Sequence, residues 1–250
     1  MDTLYKYRSY SARSLEMLIQ REIYFASPAQ LNDPYDCRLN VRDALSAAIA
    51  KVAEAKNQAL DKHLNRFRRM DRVYDKMQAD IQGAGVFSLA RSPKNVLMWS
   101  HYADNHRGFA VGFQLSEKFT THRNSEQIVG AADAYYAKAN PFSEFFEEFA
   151  PRATKSDWNE FWTSILEIGL RAKGDVWAHE FEVRILRKIP GPVGYAPAEL
   201  TEIVFGLNMP YPQQMTLRRI LAGSDWEHVR FQKVVRSDGF AVDVVSADAT

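Results

Sequence analysis

Strand-like and helix-like hydrophobic patterns alternate irregularly along this chain of 250 residues, and their order constrains the fold more than any other feature. The alternation of side chains over 3–9 predicts a strand. A helix is predicted to begin at Ser11, and a second strand is predicted over 22–26. Later strands and helices follow without a steady strand–helix–strand rhythm. We therefore predict an α+β fold with a mixed or antiparallel sheet wrapped by helices.

A long stretch without proline or glycine runs from Val41 to Gln82. Apolar residues recur there mostly at steps of three or four, which predicts one long helix or a helical hairpin. We interpret about 42–82 as a helical insertion, placed after the first strands of a single domain that covers 1–250.

The composition excludes several classes of protein. A net charge of +1 gives no basic bias toward nucleic acid. Cys37 is the only cysteine, so an intrachain disulfide or a cysteine-based zinc site cannot form. The first residues do not resemble a signal peptide, and no run of about 18 apolar residues predicts a membrane span. We therefore expect a cytoplasmic protein that does not bind a membrane.

A late predicted strand over 176–187 carries the strongest candidate for chemistry. Alternation places Glu180, Glu182 and Arg184 on one face of that strand. Two neighbouring carboxylates raise each other's pKa, which suits acid–base catalysis. The alternative is a solvated sheet face with a Glu–Arg ion pair.

A predicted helix over 96–106 carries a second polar cluster. His101, beside Tyr102 and Asp104, could act as a base or donate a hydrogen bond to a substrate. His101 and His106 are five residues apart, which is not the spacing of a helical zinc pair, so we predict no metal. The alternative is a packed aromatic helix whose histidine has an ordinary structural partner.

Two further features could bind charged ligands. The loop from Asn32 to Asp36, with Asp33 before a proline, could hold a cation or could simply shape the turn. Arg8 on the first strand could hold a phosphate with two hydrogen bonds, or could form a salt bridge at a strand edge.

Four ordered motifs resemble a known family. They are LYKYR, IYFASPAQLNDPYD, VLMWSHYADNHRGFAVGF and KGDVWAHEFEVR, at 4–8, 23–36, 96–113 and 173–184. Together they look like the bacterial domain-of-unknown-function 2971 family. The resemblance covers most of the chain and implies a bacterial origin, but it implies no activity.

The order of an arginine, a serine and an E-x-E motif is also similar to the arginine–serine–glutamate class of ADP-ribosyltransferases. This resemblance implies that Arg8 grips the phosphates of NAD and that Ser88 supports the nicotinamide-ribose pocket. It implies that Glu182 stabilises the ribose cation and that Glu180 activates the acceptor. Other side chains that we predict to contact the nucleotide are Tyr5, Asn32, Asp33, Trp99 and Tyr102.

Three functions follow as hypotheses. The first is an enzyme that transfers ADP-ribose from NAD or hydrolyses NAD. The second is an enzyme that processes nucleic acid or nucleotides, with His101, Glu180 and Glu182 as acid–base groups. The third is a regulatory or defence binding module without chemistry, whose nucleic-acid or protein partner the sequence does not name. An enzyme should bring Arg8, His101 and Glu182 into one cleft.

Overall fold

The computed structural model describes residues 2–54, 71–120, 128–149 and 158–248. Within it the chain divides into two compact units. Unit 1 comprises 1–25, 87–133 and 178–250, and unit 2 comprises 26–86 and 134–177. The predicted single domain over 1–250 stays a prediction. No helix within these described ranges is both long and apolar enough to cross a membrane.

Eight α-helices and twelve strands are numbered here over the described residues. The helices are α1 (Ala12–Gln20), α2 (Val41–Glu54), α3 (Asp71–Gly83), α4 (Val96–Tyr102), α5 (Glu117–Thr120), α6 (Pro141–Phe149), α7 (Trp158–Arg171) and α8 (Tyr211–Ile220). The strands are β1 (Leu4–Arg8), β2 (Glu22–Phe25), β3 (Gly85–Ala90), β4 (Phe109–Phe113), β5 (Ile128–Asp133), β6 (Tyr135–Ala137), β7 (Ala172–Gly174), β8 (Glu182–Arg187), β9 (Gly191–Gly194), β10 (Leu200–Phe205), β11 (Arg230–Arg236) and β12 (Val242–Ser246).

Eight strands form one mixed sheet in the order β12-β11-β10-β4-β1-β3-β8-β5. Its pairs are antiparallel wherever their direction is defined, except that β10 and β11 run parallel. The two remaining small sheets pair β2 with β9 and β6 with β7. The predicted α+β fold with a mixed sheet and surrounding helices is confirmed.

The two faces of the large sheet bury different apolar clusters. One face packs on α1 and α8 through side chains such as Met17, Phe87 and Leu217. The other face packs on α4 and includes Tyr7 and Trp99. The sheet thus separates the side chains of each strand into two environments.

Unit 2 contains the helices of the predicted insertion. Val41 begins α2, and α3 ends at Gly83, two residues before Gly85 opens β3. The predicted helical character is confirmed over 41–54 and 71–83, while 55–70 lie outside the described residues. Within unit 2, helix α2 contacts α6, and α3 contacts α7.

Two predicted elements are shorter than their hydrophobic patterns indicate. The helix predicted over 96–106 ends at Tyr102, because Asp104, Asn105 and His106 all have positive φ angles. The strand predicted over 176–187 was wrong in its first half. Residues Asp175–Glu180 form a 3-10 helix, and Phe181, with φ of 46°, separates that helix from β8.

Candidate functional site

Helix α4 is fixed at its N-terminus and along its buried side. The side chain of Asn95 accepts hydrogen bonds from the backbone amides of Leu97 and Met98, which caps the helix. Trp99 is fully buried, donates to the Pro93 carbonyl at 2.7 Å and packs edge-on against Tyr7. Because the Trp99 indole is enclosed by the core, it anchors α4.

A phenol–carboxylate pair joins α4 to the chain that leads into β8. The Tyr102 hydroxyl donates to Oε1 of Glu180 at 2.6 Å, and Glu180 is 3% exposed. A buried carboxylate needs hydrogen-bond donors, because it has left water. The pair therefore fixes the end of α4 against the 3-10 helix.

Two histidines lie beside this pair. His101 is exposed on α4, and its ring centroid lies 6.3 Å from that of His179. The side-chain amide of Asn95 donates to the His179 carbonyl. We call His101, Tyr102, His179 and Glu180 the tyrosine–glutamate cluster. No group of three or more His, Cys, Asp or Glu side chains in the described ranges could hold a metal ion.

Glu182 is held by Arg184 on the same face of β8. Arg184 donates through Nε to Oε1 of Glu182 at 2.9 Å and through Nη2 to Oε2 at 3.2 Å. Both side chains are buried, with Arg184 at 0% exposure. This two-point pairing matches the Glu–Arg alternative drawn from the sequence, except that the face is buried and not solvated.

The positive φ of Phe181 changes how the two glutamates are related. Glu180 ends the 3-10 helix and Glu182 begins β8, so simple strand alternation does not relate them. A left-handed conformation in a bulky residue is strained, and the Phe181 ring is 64% exposed. The turn nevertheless buries the carboxylates on both sides of it.

The sheet places the predicted arginine and the predicted serine on opposite faces. Arg8, through its contact with Met17, lies on the face that packs on α1. Ser88 alternates with Phe87 and Leu89 of that face, so it lies on the face that carries Trp99. By the same alternation with Ile185, Glu182 shares the face of Ser88.

Arg8 has an unusual environment for a cation. Its Nη2 donates to the sulfur of Met17 at 3.7 Å, and its buried Nε has no hydrogen-bond partner within the described ranges. Burial, with repulsion from Arg13 as a smaller cause, lowers the pKa of Arg8 to about 10. No carboxylate of the described part of the chain forms an ion pair with it.

The sequence patterns did not indicate a role for Arg13. It lies in the first turn of α1, which contains no acidic residue, and its guanidinium lies 4.8 Å from the centroid of the Tyr24 ring. An acid is the favoured residue at the positive end of a helix dipole. A basic residue at that position is the signal that could have drawn attention to this end of α1.

Tyr5 takes part in a different buried network. Its hydroxyl donates to Oε1 of Glu202 at 2.6 Å, and Arg230 donates to Oε2 of the same carboxylate at 2.9 Å. Glu202 is 2% exposed, and burial together with this carboxylate raises the pKa of Tyr5. The predicted nucleotide contact of Tyr5 stays a prediction, but its hydroxyl already has a structural partner.

The predicted loop residues lie in unit 2. The Asp33 carboxylate accepts from the backbone amide of Tyr35 at 2.9 Å, which is an Asx turn, and Asp33 and Asp36 are both buried. Asn32 is exposed at the start of this turn. These contacts support the loop-shaping interpretation of Asp33.

The fold is α+β, and unit 1 contains both the partly buried Arg8 and the tyrosine–glutamate cluster. Residues 98–185 match the model of a family described as Protein of unknown function (DUF2971). The match spans most of the third motif and all of the fourth, so it supports the resemblance to that family. Comparison with curated proteins and with solved structures gave no match.

Proposed function

We propose that this protein binds a phosphate-bearing nucleotide and that Arg8 holds the phosphate. The observation that carries this proposal is the partly buried guanidinium of Arg8, whose Nε is buried and which has no acidic partner within the described ranges. A buried charge without a counter-ion destabilises a fold by several kcal/mol. A bound anion is the natural compensation for that cost.

The surroundings of Arg8 favour an anion for two further reasons. Arg13 adds a second positive charge, and the first turn of α1 contains no acid that would offset the helix dipole. A guanidinium matches the geometry of phosphate oxygens with paired N–H donors. NAD is the first nucleotide to test, because the resemblance to ADP-ribosyltransferases assigns its phosphates to Arg8.

A binding function takes precedence over the transferase function in this proposal. Glu182 would have to stabilise a ribose cation, yet both of its oxygens accept hydrogen bonds from Arg184. The side chains of Arg8 and Glu182 also lie on opposite faces of the sheet. We therefore propose a cytoplasmic nucleotide-binding module, and transfer or hydrolysis of NAD is a separate activity to be measured as nicotinamide release.

The test is a thermal-shift titration of the purified protein with NAD, ATP and inorganic pyrophosphate. A ligand that binds only the folded state raises the free energy of unfolding, by about 2.7 kcal/mol at a ligand concentration of about 100 times Kd. This stabilisation is observed as a higher Tm. We expect at least one of these ligands to raise Tm, and we expect Arg8→Met to remove the shift.

The matched control is Arg21→Met. Arg21 also lies next to α1, but its Nη2 pairs with Asp225 at 2.7 Å, so its charge is already compensated. This variant should keep the ligand shift. The proposal fails if none of the three ligands raises Tm, or if Arg8→Met and Arg21→Met respond alike.

A second candidate function is acid–base chemistry on a nucleotide or nucleic acid. It is favoured by the 2.6 Å hydrogen bond between Tyr102 and the buried Glu180, next to the exposed His101. A carboxylate and an exposed imidazole in one cluster are the groups that proton transfer requires. The assay is cleavage of RNA and DNA, with and without divalent metal.

His101→Ala tests this second function with the least structural risk, because His101 is exposed. We expect cleavage by the natural protein and a loss of at least about 100-fold in the variant. His228→Ala is the control. His228 is also exposed, but it is not part of the tyrosine–glutamate cluster, and its ring hydrogen-bonds the backbone carbonyls of Pro197 and Leu200. Absence of cleavage, or equal rates in both variants, would reject the acid–base role of His101.

A further inference from the structure

Unit 2 contains a cavity of about 410 Å³ that the proposed function does not use. It is lined by residues of the Asn32–Asp36 loop, of β6 and the segment after it, and of β7 and the segment after it. The lining residues that matter here are Asp33, Tyr35, Lys138, Asn140, Lys173 and Trp177. Its volume lies within the range of about 300–1,000 Å³ that is typical of small-molecule sites.

Aromatic and apolar groups form the walls of this cavity. The Lys173 ammonium lies over the Trp177 ring, 5.2 Å from the ring centroid, and Lys173 is 6% exposed. Tyr35 is 72% exposed and Val176 is 75% exposed, although both line the cavity. Exposed rings and apolar side chains around a cavity favour a flat, partly apolar ligand.

The charged groups of the lining favour a negative ligand. The lining contains the cations Lys138 and Lys173 and the acid Asp33, and of these three only Lys138 is exposed. The Asp33 carboxylate already accepts the Tyr35 amide. Lys138 is exposed beside Asn140, whose side chain caps α6 by accepting from the amide of Phe142 at 3.1 Å.

We propose that this cavity binds a flat aromatic ring that carries a phosphate, as in a nucleoside monophosphate. The ring would pack against Tyr35 and Trp177, and Lys138 would contact the phosphate. This site is separate from the one proposed at Arg8. It lies within unit 2 and requires nothing from the proposed function.

The experiment labels the protein with 5-fluorotryptophan and records fluorine NMR spectra during titration with AMP, adenosine or inorganic phosphate. The chain has five tryptophans, so Trp177→Phe assigns its resonance by removing it. We expect AMP to shift the Trp177 resonance, adenosine to do so more weakly, and phosphate to leave it unchanged.

Variants separate the contribution of the ring from that of the charge. Tyr35→Ala should weaken AMP and adenosine alike, by about tenfold, as loss of one stacking partner does. Lys138→Ala should weaken AMP and leave adenosine unchanged. Tyr211→Ala is the matched control for Tyr35, because Tyr211 is 71% exposed and lies in unit 1.

Arg8→Met keeps this test independent of the nucleotide site in unit 1. The Trp177 shift should persist in that variant even if all binding at Arg8 is lost. The inference is overturned if neither AMP nor adenosine shifts the Trp177 resonance at millimolar concentration. It is also overturned if Tyr35→Ala binds AMP as tightly as Tyr211→Ala does.

Discussion

Replacing Arg8 by methionine should stabilise the ligand-free protein. The fold lowers the pKa of Arg8 to about 10, a fall of more than two powers of ten in proton affinity. At about 1.4 kcal/mol for each power of ten, the charged guanidinium costs about 3 kcal/mol relative to the unfolded chain. Arg8 is only partly buried, so water screens some of this cost, and we expect a gain of about 1–2 kcal/mol.

Methionine is the suitable replacement because its unbranched side chain can pack on Met17, which Arg8 now contacts. Urea denaturation measures the effect as a higher midpoint at unchanged slope. Arg8→Lys keeps the positive charge and should show no comparable gain. Arg21→Met removes a charge that Asp225 already pairs, so it should be neutral or lose up to about 1 kcal/mol.

A loss of about 1 kcal/mol or more in Arg8→Met, relative to the natural protein, would refute an uncompensated charge at Arg8. Such a loss would mean that the guanidinium is compensated within the fold. An equal gain in Arg8→Met and Arg8→Lys would also contradict it, because the gain would then come from packing and not from charge.

Three further predictions follow from the buried polar groups. Glu182→Gln should lose about 3–5 kcal/mol in urea denaturation, since it removes the charge that accepts two hydrogen bonds from buried Arg184, and Glu182→Gln combined with Arg184→Met should recover part of that loss. Tyr102→Phe should cost about 1–3 kcal/mol by removing the donor to buried Glu180, whereas Tyr211→Phe should cost nothing measurable. Burial lowers the pKa of His106, so as the pH falls the unfolded chain binds a proton at this histidine before the folded chain does. The free energy of unfolding should therefore fall as the pH drops below about 6.5. His106→Gln should make that decline shallower.

Local patterns predicted the elements whose residues follow one period throughout. Ser11 does cap α1, where its side chain accepts from the amide of Ser14, and 22–25 form β2 as alternation indicates. Helix α3 ends at Gly83, the first glycine after the stretch without proline or glycine. These elements follow the sequence because their capping and periodicity are decided within a few residues.

Backbone conformation and distant partners limited the rest. The 3-10 helix before β8 depends on the left-handed Phe181, a conformation that a bulky residue rarely adopts and that alternation does not reveal. Tyr5 and Glu202 are 197 positions apart, so their hydrogen bond exists only once β10, β4 and β1 lie side by side. Sequence alternation likewise relates residues within one strand but not the faces of Arg8 and Glu182 on different strands.

The separation of Arg8 from Glu182 bears directly on the choice between catalysis and binding. Strands β1, β3 and β8, which carry Arg8, Ser88 and Glu182, are neighbours in the large sheet. Alternation nevertheless sends Arg8 to the face of α1 and sends Ser88 and Glu182 to the face of α4. A ligand phosphate at Arg8 and a reacting ribose at Glu182 would therefore need the ligand to reach both faces of one sheet. Binding of a phosphate at Arg8 requires contact with one face only. For this reason we expect a nucleotide to raise Tm, and we expect no release of nicotinamide from NAD.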